Sequence, residues 1–269
     1  RAAWGAGAVL AGLAAFVLVP VGVLVERSLR VGDRYTLAGW RALAERDRRS
    51  GLFVPALEAV GTSLRYAAVA TVLAVVLGGL AAAALTRRGG RVSRAVDAVL
   101  LLPLGTSAVT VGFGFILALD EPVDLRASPW LVPIAQAVVA LPFVVRTMTP
   151  VLRAIDPRLR EAAAVLGAPP LRAWREVDLP IVRRALLVAA GFAFAISLGE
   201  FGATSVIARA DAPTVPVAIE RLLGRPGAIR VTQAFALSTV LMALTIAAVL
   251  LVERLRGRDD ADRAPGGWW

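Results

Sequence analysis

Along this chain the apolar residues gather into long uncharged runs instead of spreading as the one-sided stripes of soluble helices. Runs at 2–25, 66–86, 98–119, 127–145, 185–208 and 231–252 lie between charged neighbours such as Glu26, Arg65, Arg87, Asp97, Arg146, Arg230 and Glu253. A helix needs about 20 apolar residues to cross a hydrocarbon core of about 30 Å. Each run meets that length, so the pattern predicts six membrane-spanning helices and an all-α membrane protein. The fifth run holds a single charge, Glu200. The first run is long for the apolar stretch of a secretion signal and no A-x-A-like site follows it, so it reads as a retained span.

The charges between the runs give an orientation. Arg87, Arg88, Arg91 and Arg94 follow the second run, eight arginines fall within 146–184, and four more follow Val252. The intervening loop at 120–126 holds three acids and one arginine. Short arginine-rich loops stay in the cytoplasm, so both termini are expected inside. The basic stretch 26–65 falls outside by this count and runs against that orientation. The net charge of +10 follows from the inner loops, and no nucleic-acid partner is expected from it.

Composition removes several chemistries. Cysteine and histidine are absent, which excludes disulfides, thiolate or serine–histidine catalysis and Cys or His metal sites. No metal site and no catalytic residue is expected. All 30 basic residues are arginine, so the lysine that a Walker A phosphate loop requires is missing. Any ATP must be handled by another chain.

The loop 146–184 carries most information. Asp156 before Pro157 is a capping side chain followed by proline at the first helical position. Leu159, Ala162, Ala163 and Leu166 recur at helical spacing as one apolar stripe. Gly167 stops that helix, and Pro169-Pro170 forbid its continuation. A second short helix is predicted from about Leu171 through Trp174 to Val177, with Leu179-Pro180 leading into the fifth span. Two amphipathic helices joined by a glycine turn fit a segment resting on lipid headgroups and fit a dock for a soluble partner equally well.

The residues Glu161-Ala162-Ala163, then Gly167, then Val177-Asp178-Leu179-Pro180 resemble the EAA loop of binding-protein-dependent ABC importer permeases. That pattern is Glu-Ala-Ala, three residues, Gly, nine residues and Ile-x-Leu-Pro, with Val177 here in place of Ile. Thr62-Ser63-Leu64 is similar to the family's Asn-Ser-Leu entry to the second span, with Thr62 in place of Asn. The resemblance implies the type I importer fold. It implies a first span with an outer segment at 1–61, a permease core of five spans at 62–254, and a cytoplasmic tail at 255–269. The helix from about Pro157 to Leu166 would be the coupling helix, seated in a cleft of an ATPase subunit. Glu161, Ala162, Ala163, Gly167, Leu179 and Pro180 would be the coupling residues. The implied partners are an ATPase dimer carrying ATP and Mg, an outer solute-binding protein, and a second permease half that is identical, paralogous or fused. The implied location is the cell membrane of a bacterium or archaeon, with the chain itself not an enzyme.

A charge at membrane depth is costly and usually faces a cavity or a partner. Glu200, between Gly199 and Gly202, is therefore expected to line or gate the translocation path with Ser197. A structural ion pair with an arginine such as Arg65, or placement near the outer surface, also fits. The two glycines allow a local break in the helix. The stretch 197–204 resembles the permeases of iron(III), thiamine, molybdate and sulfate importers, and 213–223 is most similar to the iron(III)/thiamine branch. That branch often fuses two halves in one chain, and this length and the initial Arg1 fit the C-terminal half of such a fusion. An ion-gradient-driven transporter is the rival reading; such proteins show inverted repeats and midplane ionisable residues, of which only Glu200 is visible.

Overall fold

The computed structural model describes residues 2–45, 52, 54–87, 90–119 and 128–261. Arg88, the acidic loop 120–126 and the last residues of the tail lie outside them. Among the described residues, five helices are long and apolar enough to cross a membrane: Val9–Ser28, Ala56–Thr86, Leu131–Arg153, Pro170–Gly199 and Ala228–Leu255. They belong to α1 (Ala2–Ser28), α3 (Ala56–Arg87), α6 (Leu131–Arg153), the segment ending in α9 (Leu179–Gly199), and α12 (Ala228–Ala261).

The third run, predicted as one straight span, is a broken pair. It forms α4 (Arg91–Gly105) and α5 (Ala108–Ala118), bent by 109°. Pro103 and Gly105 weaken the end of α4, and Thr106 and Ser107 are both extended, at ψ 143° and 131°. The Thr106 hydroxyl donates back to the Leu102 carbonyl at 2.9 Å, taking an acceptor that a continuing helix would use. Counting the pair as one span gives six.

The chain divides into two compact units. The first joins Arg1–Ser63 to Arg209–Ala243. It holds all of α1, a two-stranded hairpin of β1 (Arg30–Val31) and β2 (Arg34–Tyr35) that pairs Arg30 with Tyr35, then α2 (Ala38–Ala42) and α11 (Val215–Leu223). Leu43, Leu52, Ala59, Val215, Leu222 and Leu237 form its core. Buried polar groups are spent on backbone: the Ser63 hydroxyl accepts from Val215 N–H at 2.8 Å, and Gln233 Nε2 donates to the Ala42 carbonyl at 2.8 Å. Thus Ser63, read from sequence only as a span entry, anchors α11. Over its spanning window α1 holds no fully buried residue.

The second unit joins Leu64–Ala208 to Leu244–Trp269. Its centre is α6 beside α9, through Ala137, Ala140, Val144, Ala185, Ala189 and Ala193. Lipid offers no hydrophobic drive for helix association, so small side chains that let backbones approach provide the attraction. That is why the run-rich sequence builds its core from alanine.

Candidate functional site

The loop after α6 folds much as its local chemistry dictates. The Asp156 carboxylate accepts from Arg158 N–H at 2.9 Å, with Pro157 in the first turn of α7 (Pro157–Val165). The helix closes with paired bonds, Gly167 N–H to the Ala164 carbonyl at 2.9 Å and Ala168 N–H to the Ala163 carbonyl at 3.0 Å. Gly167 sits at φ +80°, the left-handed geometry that such a closure needs and a Cβ opposes.

The second half of the loop differs from the sequence reading. The short helix predicted at 171–177 is not separate: α8 (Pro170–Ala173) runs through a π-helical turn at Trp174–Asp178 directly into α9. Leu179 and Pro180 therefore do not interrupt the chain, and the spanning helix begins at Pro170. A proline deprives the carbonyl four residues earlier of its donor and crowds it. For Pro180 that carbonyl belongs to Glu176, and widening the helix to a π-turn at this point relieves the crowding.

The expected coupling residues differ in how far they reach solvent. Glu161, Ala162 and Gly167 are exposed, Ala163 is half-buried, and Leu179 and Pro180 are half-buried at the start of α9. The apolar side chains around the turn are bare: Val165 is 87% exposed, Leu166 86% and Leu171 71%. No residue of α7 is buried by the chain. One contact unread in the sequence ties α7 down. Arg160 Nε donates to both Asp178 oxygens, at 2.8 and 3.1 Å. Asp178 itself is 2% exposed.

The second predicted site is also a helix break, inside the fifth run. α9 stops at Gly199, Glu200 is extended at φ −67°, ψ 122°, and α10 (Gly202–Ile207) follows. The run 185–208 is thus not one continuous span. Glu200 is buried, and its carboxylate accepts from Ala203 N–H at 2.7 Å and Thr204 N–H at 3.0 Å. The Thr204 hydroxyl donates to the Glu200 carbonyl at 2.8 Å. The charge is therefore met by the donor-rich start of a helix. Close packing surrounds this break. A Cβ on Gly202 would lie 2.7 Å from Ala108 Cβ, and one on Gly112 would lie 2.8 Å from the Ala203 carbonyl oxygen. Ser197 is sealed inside, and its hydroxyl has no hydrogen-bond partner among the described residues. Gln136 on α6 shares that condition at its Oε1. A lone glutamine inside an apolar helix was the available signal for it and was not used.

Comparison with known proteins completes the description. A family model described as the binding-protein-dependent transport system inner membrane component matches residues 74–258. A Salmonella typhimurium protein named as a candidate for the 2-aminoethylphosphonate transport system permease PhnV is 29% identical, over 90% of this chain and 90% of its own length. The sulfate transport system permease protein CysT of the same species is 31% identical, over 73% of this chain and 75% of its own. A crystal structure of a bacterial ABC transporter involved in import of the acidic polysaccharide alginate superposes with a TM-score of 0.75, covering 95% of this chain and 96% of that one at 16% identity. That likeness is one of fold.

Proposed function

The chain belongs to the family of binding-protein-dependent transport system inner membrane components, and on that premise we propose how this ABC importer permease couples and what it carries. The observation that carries the coupling half is the bare apolar surface at the α7–α8 turn, with Val165, Leu166 and Leu171 outward beside exposed Glu161 and Ala162. A surface of that kind needs a cover. Membership in this family and the arginine-rich loop support a cytoplasmic ATPase subunit as that cover, present in two copies that bind ATP and Mg. Small residues let α7 seat closely, and Glu161 offers a carboxylate to basic groups in the cleft. The chain's own contribution is mechanical, because it has no phosphate loop. A second permease half, an outer solute-binding protein and inward-facing termini in the cell membrane complete the assembly.

For cargo, the iron(III) or thiamine expectation draws no support from these relatives, whose names carry a phosphonate and sulfate. We propose a small tetrahedral oxyanion. Cells expressing the permease with its ATPase and binding protein should accumulate labelled sulfate or 2-aminoethylphosphonate, but not iron(III) or thiamine, and only while ATP is available. Uptake that survives ATP depletion and collapses with an ionophore would instead establish an ion-gradient transporter.

A further inference from the structure

We propose that Arg160 and Asp178 form a latch across the π-turn, and that this latch makes a displacement of α7 reach α9. The inference rests on the coupling role argued above. It concerns how force enters the membrane span after a partner has seated on the loop.

The geometry is specific. Asp178 closes the π-turn at the foot of α9, and its side chain is only 3% exposed while that of Arg160 is 36% exposed. One guanidinium nitrogen holds both carboxylate oxygens, at 2.8 and 3.1 Å. An exposed ion pair contributes little. A buried carboxylate that loses its cation is instead left uncompensated, so the pair is held closed by the cost of opening it.

The position matters as much as the strength. π-turns are rare and collect at functional places in helices. Here the turn lies between α8 and α9, the junction at which a push on the loop would be lost to bending. Arg160 comes from α7, on the far side of the Gly167 turn, so the ion pair closes a ring: α7, the glycine turn, α8, the π-turn and back. A closed ring moves as one body, whereas an open one folds at its joints. The residues are also not those of the EAA pattern. Arg160 precedes Glu161, and Asp178 occupies the unspecified place in Ile-x-Leu-Pro.

The test uses the complete transporter in proteoliposomes, reading ATP hydrolysis and uptake together. R160A and D178N should lower uptake per ATP by about tenfold, the scale of an ordinary coupling between two sites, with hydrolysis within about twofold of the parent. The reversed pair R160D/D178R should recover most of the loss. The chain has no cysteine, so R160C/D178C gives a unique thiol pair. A short thiol-reactive cross-linker should restore its coupling, including where a single variant assembles poorly. Unchanged uptake per ATP in R160A, or a cross-linked pair no better coupled than the open one, would overturn the latch. A parent complex with no ATP-driven uptake would instead sink the transporter reading beneath it.

Discussion

At Gly167 and at Glu200 the chain leaves one helix and enters another within a few residues, both times beside glycine. At Gly167 the turn closes on its own backbone, and the surrounding side chains are bare. At Glu200 the turn is closed by a buried carboxylate, and the neighbouring helices leave no room for a Cβ at Gly112 or Gly202. The first junction is complete locally and offers its outer face to something else. The second is complete only as part of the packed interior. Change at the first should therefore alter coupling before stability, and change at the second stability before anything else.

That contrast can be broken, beginning where the effect is largest. Glu200→Ala strips two buried N–H groups of their acceptor and should cost roughly 2–4 kcal/mol, read as a lower unfolding temperature in detergent. Glu200→Gln keeps an acceptor oxygen and should lose less; equal stability of Ala and parent would remove Glu200 as the cap. Gly112→Val forces α5 against the Ala203 backbone and should cost about 1–3 kcal/mol in the same measurement. Gly167→Ala has open space around it and pays only for its left-handed backbone, about 1–2 kcal/mol, while uptake falls further than stability accounts for. Leu166→Ala should leave unfolding unchanged to within about 0.5 kcal/mol yet weaken ATPase binding in a pull-down. If Leu166→Ala destabilised the isolated chain, the bare surface would have a partner inside the permease and the contrast would fail.

Much of this was legible from local chemistry. The apolar runs mark the spans because the bilayer demands length and apolarity and little else. Asp156-Pro157 and Gly167 mark the ends of α7 because caps and left-handed turns are decided by a few adjacent residues. The bend between α4 and α5 was hidden by an uncharged run that looks continuous, although Pro103 and Gly105 stood inside it. The merging of α8 with α9 is not legible locally, because Leu179-Pro180 reads as the lead into a separate span, whereas a π-turn lets a helix carry its proline. The glycines around Glu200 pointed to a break, but the carboxylate's partners are backbone groups that exist only once α10 has formed. Arg160 and Asp178 are far apart in sequence, and nothing local joins them.

The first helix has a quieter consequence. Over its spanning window this chain fully buries no residue of α1, and Phe16, at 78% exposed, is typical of its flank. What such a segment must conserve is thickness matched to the bilayer and enough oiliness to stay there. The order of its side chains is then nearly free to drift, whereas each alanine between α6 and α9 answers to a neighbour. Across relatives, α1 should diverge as a mooring line does, alike in reach and unlike in thread.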